Sequence, residues 1–202
     1  MELIFLGMIL GFAGWLAKTR DQGRRIALLG SHLGNYQIEK HLETLTQGYQ
    51  RALGEDDAQR REQIWSLLRG TEQALASQFE RFAASFSKVD EADARVSTLQ
   101  VALPFAARWL PAASFDLRKA LAIHARGISR AAGDAGEAPA RAKAFTLMAE
   151  LFLMQHTCHW FCKSRTVASA RMLARHKTSY EQLIEAVAPA TRASYCELVG
   201  RR

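Results

Sequence analysis

Fifteen consecutive uncharged, mostly apolar residues, Leu3 to Ala17, precede a basic cluster of Lys18, Arg20, Arg24 and Arg25. This stretch constrains the chain more than any other. A cleaved secretory signal carries its basic residues ahead of the apolar run and a small-x-small site behind it. Here Glu2 is the one charge ahead of the run, and no A-x-A site follows it. As a helix, Met1 to Ala17 extends about 25 Å, slightly short of the ~30 Å hydrocarbon core of a bilayer. Snorkelling of Lys18 and Arg20 lengthens the span, and Trp15 stands at the depth of an interfacial aromatic. Residues 1–17 are therefore read as a single-pass transmembrane anchor. The positive flank that follows places the C-terminal domain in the cytoplasm. With the high alanine and arginine content, this points to a bacterial inner membrane.

Gly7 and Gly11 form a GxxxG pair, Gly14 lies near the same face, and Ala13 and Ala17 form a second small-xxx-small pair. Small residues let membrane helices approach closely, so Gly7, Gly11 and Gly14 are candidates for homodimer pairing.

The remaining chain reads as helix, with alanine, leucine, arginine and glutamate abundant and only four prolines. Residues 18–53 form a basic juxtamembrane segment and an amphipathic helix, with Ile38, Leu42, Leu45, Tyr49 and Ala52 on one stripe. Residues 54–202 form a helical bundle domain. Its first helix follows the acids Glu55, Asp56 and Asp57, favoured near a helix N-terminus, and runs to about Lys88, with Gly70 as a weak point. The stretch 97–133 reads as two helices split near Pro111, the second capped by Ser114, and 133–139 reads as a loop. A long helix then runs towards Arg175. Ser179 and Gln182 form a capping box, and Pro189 interrupts the last helical segment. The expected fold is all-α.

Within the long helix, "AFTLMAELFLMQHTCHWFC" (144–162) is apolar around nearly its whole circumference. Glu150, His156 and His159 would be costly in lipid, so it is read as the central helix of the bundle. His156, Cys158, His159 and Cys162 are all of metal-ligating type. Their spacing matches no closed site on one helix, and they are read as core residues. A helical metal or haem sensor built on His156, His159 and Cys162 is the alternative. No cofactor is expected. Three cysteines without a framework fit a reducing compartment.

Charge is uneven in a chain of net charge +7: residues 54–93 carry nine acids against five bases, residues 138–202 ten bases against four acids. Lys163, Arg165, Arg171, Arg175 and Lys177 form an acid-free run, a candidate surface for an anionic partner. Nucleic acid is not expected, because interleaved aromatics are missing.

"LLGSHLGNYQIEK" (28–40) resembles the His-x-x-x-x-acid motif of the lipid A lauroyl-type acyltransferase family, in which the histidine is followed by x-G-N. The resemblance covers about six residues. It implies an α/β fold, with His32 as general base for an acceptor hydroxyl. The acidic position of the motif is Gln37 here. Ser85 and Lys88 give a lone S-x-x-K without companion motifs. With phosphate-cradling loops and nucleophile elbows absent, the sequence reads as a membrane-anchored interaction or scaffold protein, bound to the bilayer and to an unknown protein partner. The lipid acyltransferase-like enzyme using His32 is the alternative.

Overall fold

The computed structural model describes residues 2–133 and 139–201, apart from the side chains of residues 2, 3 and 108. The loop expected over 133–139 falls largely outside the described residues. The fold is all-α, with one small two-stranded ribbon.

Helix α1 runs unbroken from Glu2 to Leu33. The boundary expected after residue 17 is thus a change of surface chemistry and not of backbone. Helix α2 (Ile38–Leu53) buries Ile38, Leu42, Leu45, Tyr49 and Ala52, the stripe read from periodicity. Helix α3 (Ala58–Phe86) begins at Asp57, whose carboxylate accepts the Arg60 amide at 2.8 Å, and passes through Gly70 without a break. Gly48 is where α2 and α3 approach most tightly: a Cβ there would overlap the Leu68 side chain. Phe79, Phe82 and Phe86 line the buried side of α3, with rings 5.5 and 6.1 Å apart in succession.

The next stretch departs from the expected pair of helices. A short helix α4 (Glu91–Ala94) leads into strand β1 (Arg95–Ser97), which pairs antiparallel with β2 (Ser114–Asp116), Val96 opposite Phe115. Between them the chain forms an irregular loop, a one-turn helix α5 (Ala106–Trp109) and a 3-10 turn at Pro111–Ala113. Pro104 and Pro111 interrupt the helix that the alanine- and leucine-rich composition favours. Phe105 sits at φ 58°, in the left-handed region that bulky residues avoid. Ser114 is in the ribbon, so the role expected for it passes to Asp116, whose carboxylate accepts the Arg118 amide at 2.8 Å.

Helix α6 (Leu117–Gly133) packs on α3 and on α7 (Ala140–Cys162). Helix α7 is the centre of the bundle, touched by α1, α2, α6, α8 (Arg165–His176) and α9 (Tyr180–Ala186). The long helix expected to reach Arg175 is broken at Lys163, after which the Ser164 hydroxyl caps α8 by accepting the Val167 amide at 3.3 Å. The capping box at Ser179 and Gln182 is formed in both directions. Helix α10 (Pro189–Leu198) starts at the proline expected to interrupt the chain and packs on α6.

Among the described residues no helix is long and apolar enough to cross a membrane. The apolar part of α1 gives way to charge at Lys18, and the rest of the helix docks on α3 and α7. The α/β fold implied by the acyltransferase resemblance is absent, since the sheet consists of two three-residue strands.

Candidate functional site

Three regions hold the residues singled out above. The first is the N-terminal half of α1. Ile4, Phe5, Leu6, Met8, Ile9, Leu10, Phe12 and Trp15 are each 53–68% exposed, and they cover about two thirds of the helix circumference, with Gly7, Gly11 and Gly14 on the remaining arc. A Cβ added at Gly7, Gly11 or Gly14 would meet nothing within 4 Å. Among the described residues, 4–15 stand uncovered, and coverage begins at Leu16 and Ala17. The second half, in contrast, is clamped. Arg24 pairs with Asp93 at 2.7 Å, and Arg25 pairs with Asp21 at 3.3 Å. Arg25 also donates to the carbonyls of Arg95 and Phe161 and lies over the Phe161 ring.

The second region is an open groove between α2, α7 and α9 of about 1470 Å³. Leu42, Tyr49, Phe145, Met148, Phe152 and Leu183 supply its apolar lining, and Arg175, His176 and Lys177 stand at one edge. His176 stacks on Phe152 at 3.8 Å between ring centroids and bonds Gln155 at 3.0 Å. Burial, then the Arg175 charge, lowers the His176 pKa below the ordinary imidazole value. The acid-free basic run is divided by this arrangement. Arg171, Arg175 and Lys177 are exposed. Lys163 instead donates to Gln22 of α1 at 2.9 Å, and Arg165 lies over the rings of Trp160 and Tyr180.

The third region is the polar interior around α7. His156 faces α8 and α9, bonding Ser169 at 3.0 Å and stacking on Tyr180 at 4.4 Å. Cys158 lies beside Met154, its Sγ 4.0 Å from the thioether sulfur. Among the described residues no group of three or more His, Cys, Asp or Glu side chains is placed to hold a metal ion. Burial pushes His156 down to about 3, helped by Arg165, and His159 down to about 4, helped by Arg171. It pushes the Cys162 thiol up to about 11. At neutral pH the two imidazoles are neutral, the form that can ligate a metal, and the Cys162 thiol is protonated.

His124, from α6, joins the same interior. Thr157 donates its hydroxyl to the Leu153 carbonyl at 2.9 Å, so its oxygen is left to accept from Tyr195 and from His124 Nε2. That fixes His124 as the neutral Nε2–H tautomer, and burial holds it down at about 3. Nearby, fully buried Glu150 accepts the Ala188 amide at 3.1 Å, and burial raises its carboxyl pKa. Lys143 meets Glu72 at 2.6 Å with both side chains at most 11% exposed, and Tyr49 donates to the other Glu72 oxygen at 2.6 Å. These contacts tie α2, α3 and α7 together.

His32 and Ser85, noted separately in the sequence, come together across α1 and α3 with Nδ1 and Oγ 2.9 Å apart. His32 also packs edge-on against Phe86. Among the described residues no carboxylate bonds to His32, and Gln37 uses its backbone amide on Gln78 instead. The pair lacks the third group that orients a catalytic imidazole.

No protein-family model matches the chain, and no curated protein or solved structure matches it either.

Three features escaped the sequence reading. The His32–Ser85 pair joins residues 53 positions apart. The groove exists only where three helices meet. The buried Lys143–Glu72 pair involves residue types that usually face solvent.

Proposed function

We propose that this chain is a non-enzymatic helical scaffold held at a bilayer by α1, its bundle on the cytoplasmic side of a bacterial inner membrane. The observation that carries this reading is the uncovered apolar half of α1, Ile4 to Trp15, with charge beginning at Lys18. Water is a poor solvent for such a surface, and exposed patches of this size mark interaction sites. The span of about 24 Å from Glu2 to Ala17 is completed by snorkelling of Lys18 and Arg20. The groove between α2, α7 and α9 suits the apolar face of a helix from a partner protein, with Arg175 and Lys177 set to meet acids on its flank. Gly7, Gly11 and Gly14 leave one side of α1 free for a second copy.

The test is fractionation of the native protein followed by alkaline washing of the membranes. The chain is expected in the washed pellet, and the same chain lacking residues 2–17 in the supernatant. Recovery of the full chain in the supernatant without detergent would refute the anchor.

A second reading, acyl transfer at His32, is favoured by one observation, the hydrogen bond to Ser85. It requires that Ser85→Ala and His32→Ala each abolish turnover of an activated ester by the purified protein. Turnover left unchanged by both removes it.

A further inference from the structure

We infer that the loop between β1 and β2, residues 99–110, dips into the bilayer interface beside the base of α1 and gives the bundle a second contact with lipid. The inference rests on the anchor reading of α1 and deepens it. It starts from composition: "LQVALPFAARWL" has one charged residue, Arg108, in twelve. A soluble loop of this length is ordinarily rich in polar residues and at home in water. This one exposes Val101, Leu103, Trp109 and Leu110, with Trp109 at 77%. Most of the other large apolar side chains exposed on the protein belong to α1.

Position decides what the loop meets. Leu99, Val101, Leu103 and Pro104 share a hollow with Lys18, Gln22 and Arg25 of α1. This is the turn at which α1 changes from apolar to charged, the level of the headgroups in the anchored protein. Phe105 closes the next turn down, beside Arg24, Leu28 and Asp93. The level is set by several bonds and not by the loop alone. Thr166 donates its hydroxyl to the Gln100 carbonyl at 2.7 Å, and Trp160 donates to the Ser97 carbonyl at 2.9 Å. Lys163, between α7 and α8, holds Gln22 of α1 at 2.9 Å, fixing α1 beside the elements that hold the loop. The left-handed Phe105 is the kind of conformation that persists only where its surroundings over-determine it.

The chemistry fits an anionic lipid surface better than a protein face. Tryptophan prefers the interface, where its ring is in the acyl boundary and its N–H in the wet layer. Lys18 and Arg20 are exposed at the same level, where they meet headgroup phosphates. A helix and a loop inserted together fix the tilt of the bundle, which a single helix leaves free.

The test places an environment-sensitive NBD fluorophore on Leu103→Cys, on Ile9→Cys in α1 and on Leu67→Cys in α3 as a distal control. Each is made in the full chain carrying Cys162→Ser and Cys196→Ser, since Cys158 is buried. The proteins are reconstituted in vesicles of phosphatidylcholine and phosphatidylglycerol, with and without headgroup-proximal doxyl lipid. Positions 9 and 103 are expected to show blue-shifted emission, with position 103 quenched by the shallow doxyl group and position 67 unaffected. Blue-shifted emission at 9 with water-like emission at 103 overturns the loop contact and leaves the anchor standing. Blue-shifted, doxyl-quenched emission at 103 with water-like emission at 9 keeps the loop contact and removes the anchor; water-like emission at both removes both. Blue-shifted emission at 103 that doxyl lipid does not quench means that protein covers the loop, and this too overturns the inference. Leu103→Asp with Trp109→Asp provides a second readout: the protein stays in the alkaline-washed pellet, while protease cleavage within 99–110 in intact vesicles becomes faster.

Discussion

Residues 144–162 of α7 and the first half of α1 are each apolar around nearly their whole circumference, and the structure treats them oppositely. Helix α7 is buried over most of its length, with Phe145 left exposed in the groove, and several of the polar residues it carries inward have partners. Lys143 meets Glu72, Thr157 meets Tyr195, His156 meets Ser169, and Glu150 meets the Ala188 amide. Among the described residues of the first half of α1, 4–15 are exposed and apolar or glycine, and Leu16 and Ala17 are half-buried. A helix apolar all round must be buried in something. For α7 that is the protein, and for α1 we assign it to lipid. The difference lies in the polar residues: those of α7 find partners only in a protein interior, and their absence from residues 3–17 suits hydrocarbon.

The comparison breaks most readily at α7. Lys143→Met leaves the Glu72 carboxylate buried without its counter-ion, and loss of one member of such a pair costs about 3–5 kcal/mol. Chemical denaturation of the variant should show this loss, and a loss below about 1 kcal/mol would mean that Glu72 is solvated.

Alanine at matched positions sharpens the contrast. Leu151 is fully buried in α7, and Leu151→Ala is expected to cost about 2–5 kcal/mol. Ile9→Ala in α1 should change the stability of the bundle by no more than about 0.5 kcal/mol. Equal effects at the two positions would place α1 in the protein core.

Acid is a milder probe of the same interior. Burial holds His124 and His156 at about 3, whereas both titrate near 6.5 when unfolded. Below about pH 6.5 the unfolded chain binds protons that the native chain refuses, so stability falls with pH from there towards about 3. Each histidine contributes up to about 1.4 kcal/mol per pH unit. Glu150 acts in the opposite sense, because its raised pKa lets the native state keep a proton that the unfolded chain has released. Denaturation midpoints at pH 7 and pH 5 should therefore fall with acid, and more steeply in Glu150→Gln. A flat profile in both would show that the two imidazoles are reached by water.

What the sequence revealed follows the range of the interactions involved. The α2 stripe, the start of α3 behind the acids Glu55, Asp56 and Asp57, the capping box at Ser179 and the central place of α7 all rest on local sequence signals, and all are seen. The ribbon was not legible, because β1 and β2 are three residues each and Val96 finds Phe115 across the whole loop. Helix propensity in the alanine-rich stretch pointed the other way, and two prolines with a left-handed Phe105 outweighed it. Ser164 was a readable cap signal ahead of Arg165, yet no proline or glycine marks the break at Lys163. The cluster of His156, His159, Cys158 and Cys162 showed the right residue types, but which neighbour each would face depends on helices α6, α8 and α9. For the same reason the partnership of His32 with Ser85 had no signal in either local motif.

Hydrogen exchange of the full chain in vesicles tests the opposition of the two helices most directly. The account predicts that amides of residues 4–17 exchange as slowly as those of α7, and that disrupting the bilayer with a mild detergent below its solubilising limit leaves α7 unchanged. Exchange over residues 4–17 as fast as in an exposed loop, in vesicles that retain a protected α7, would contradict it.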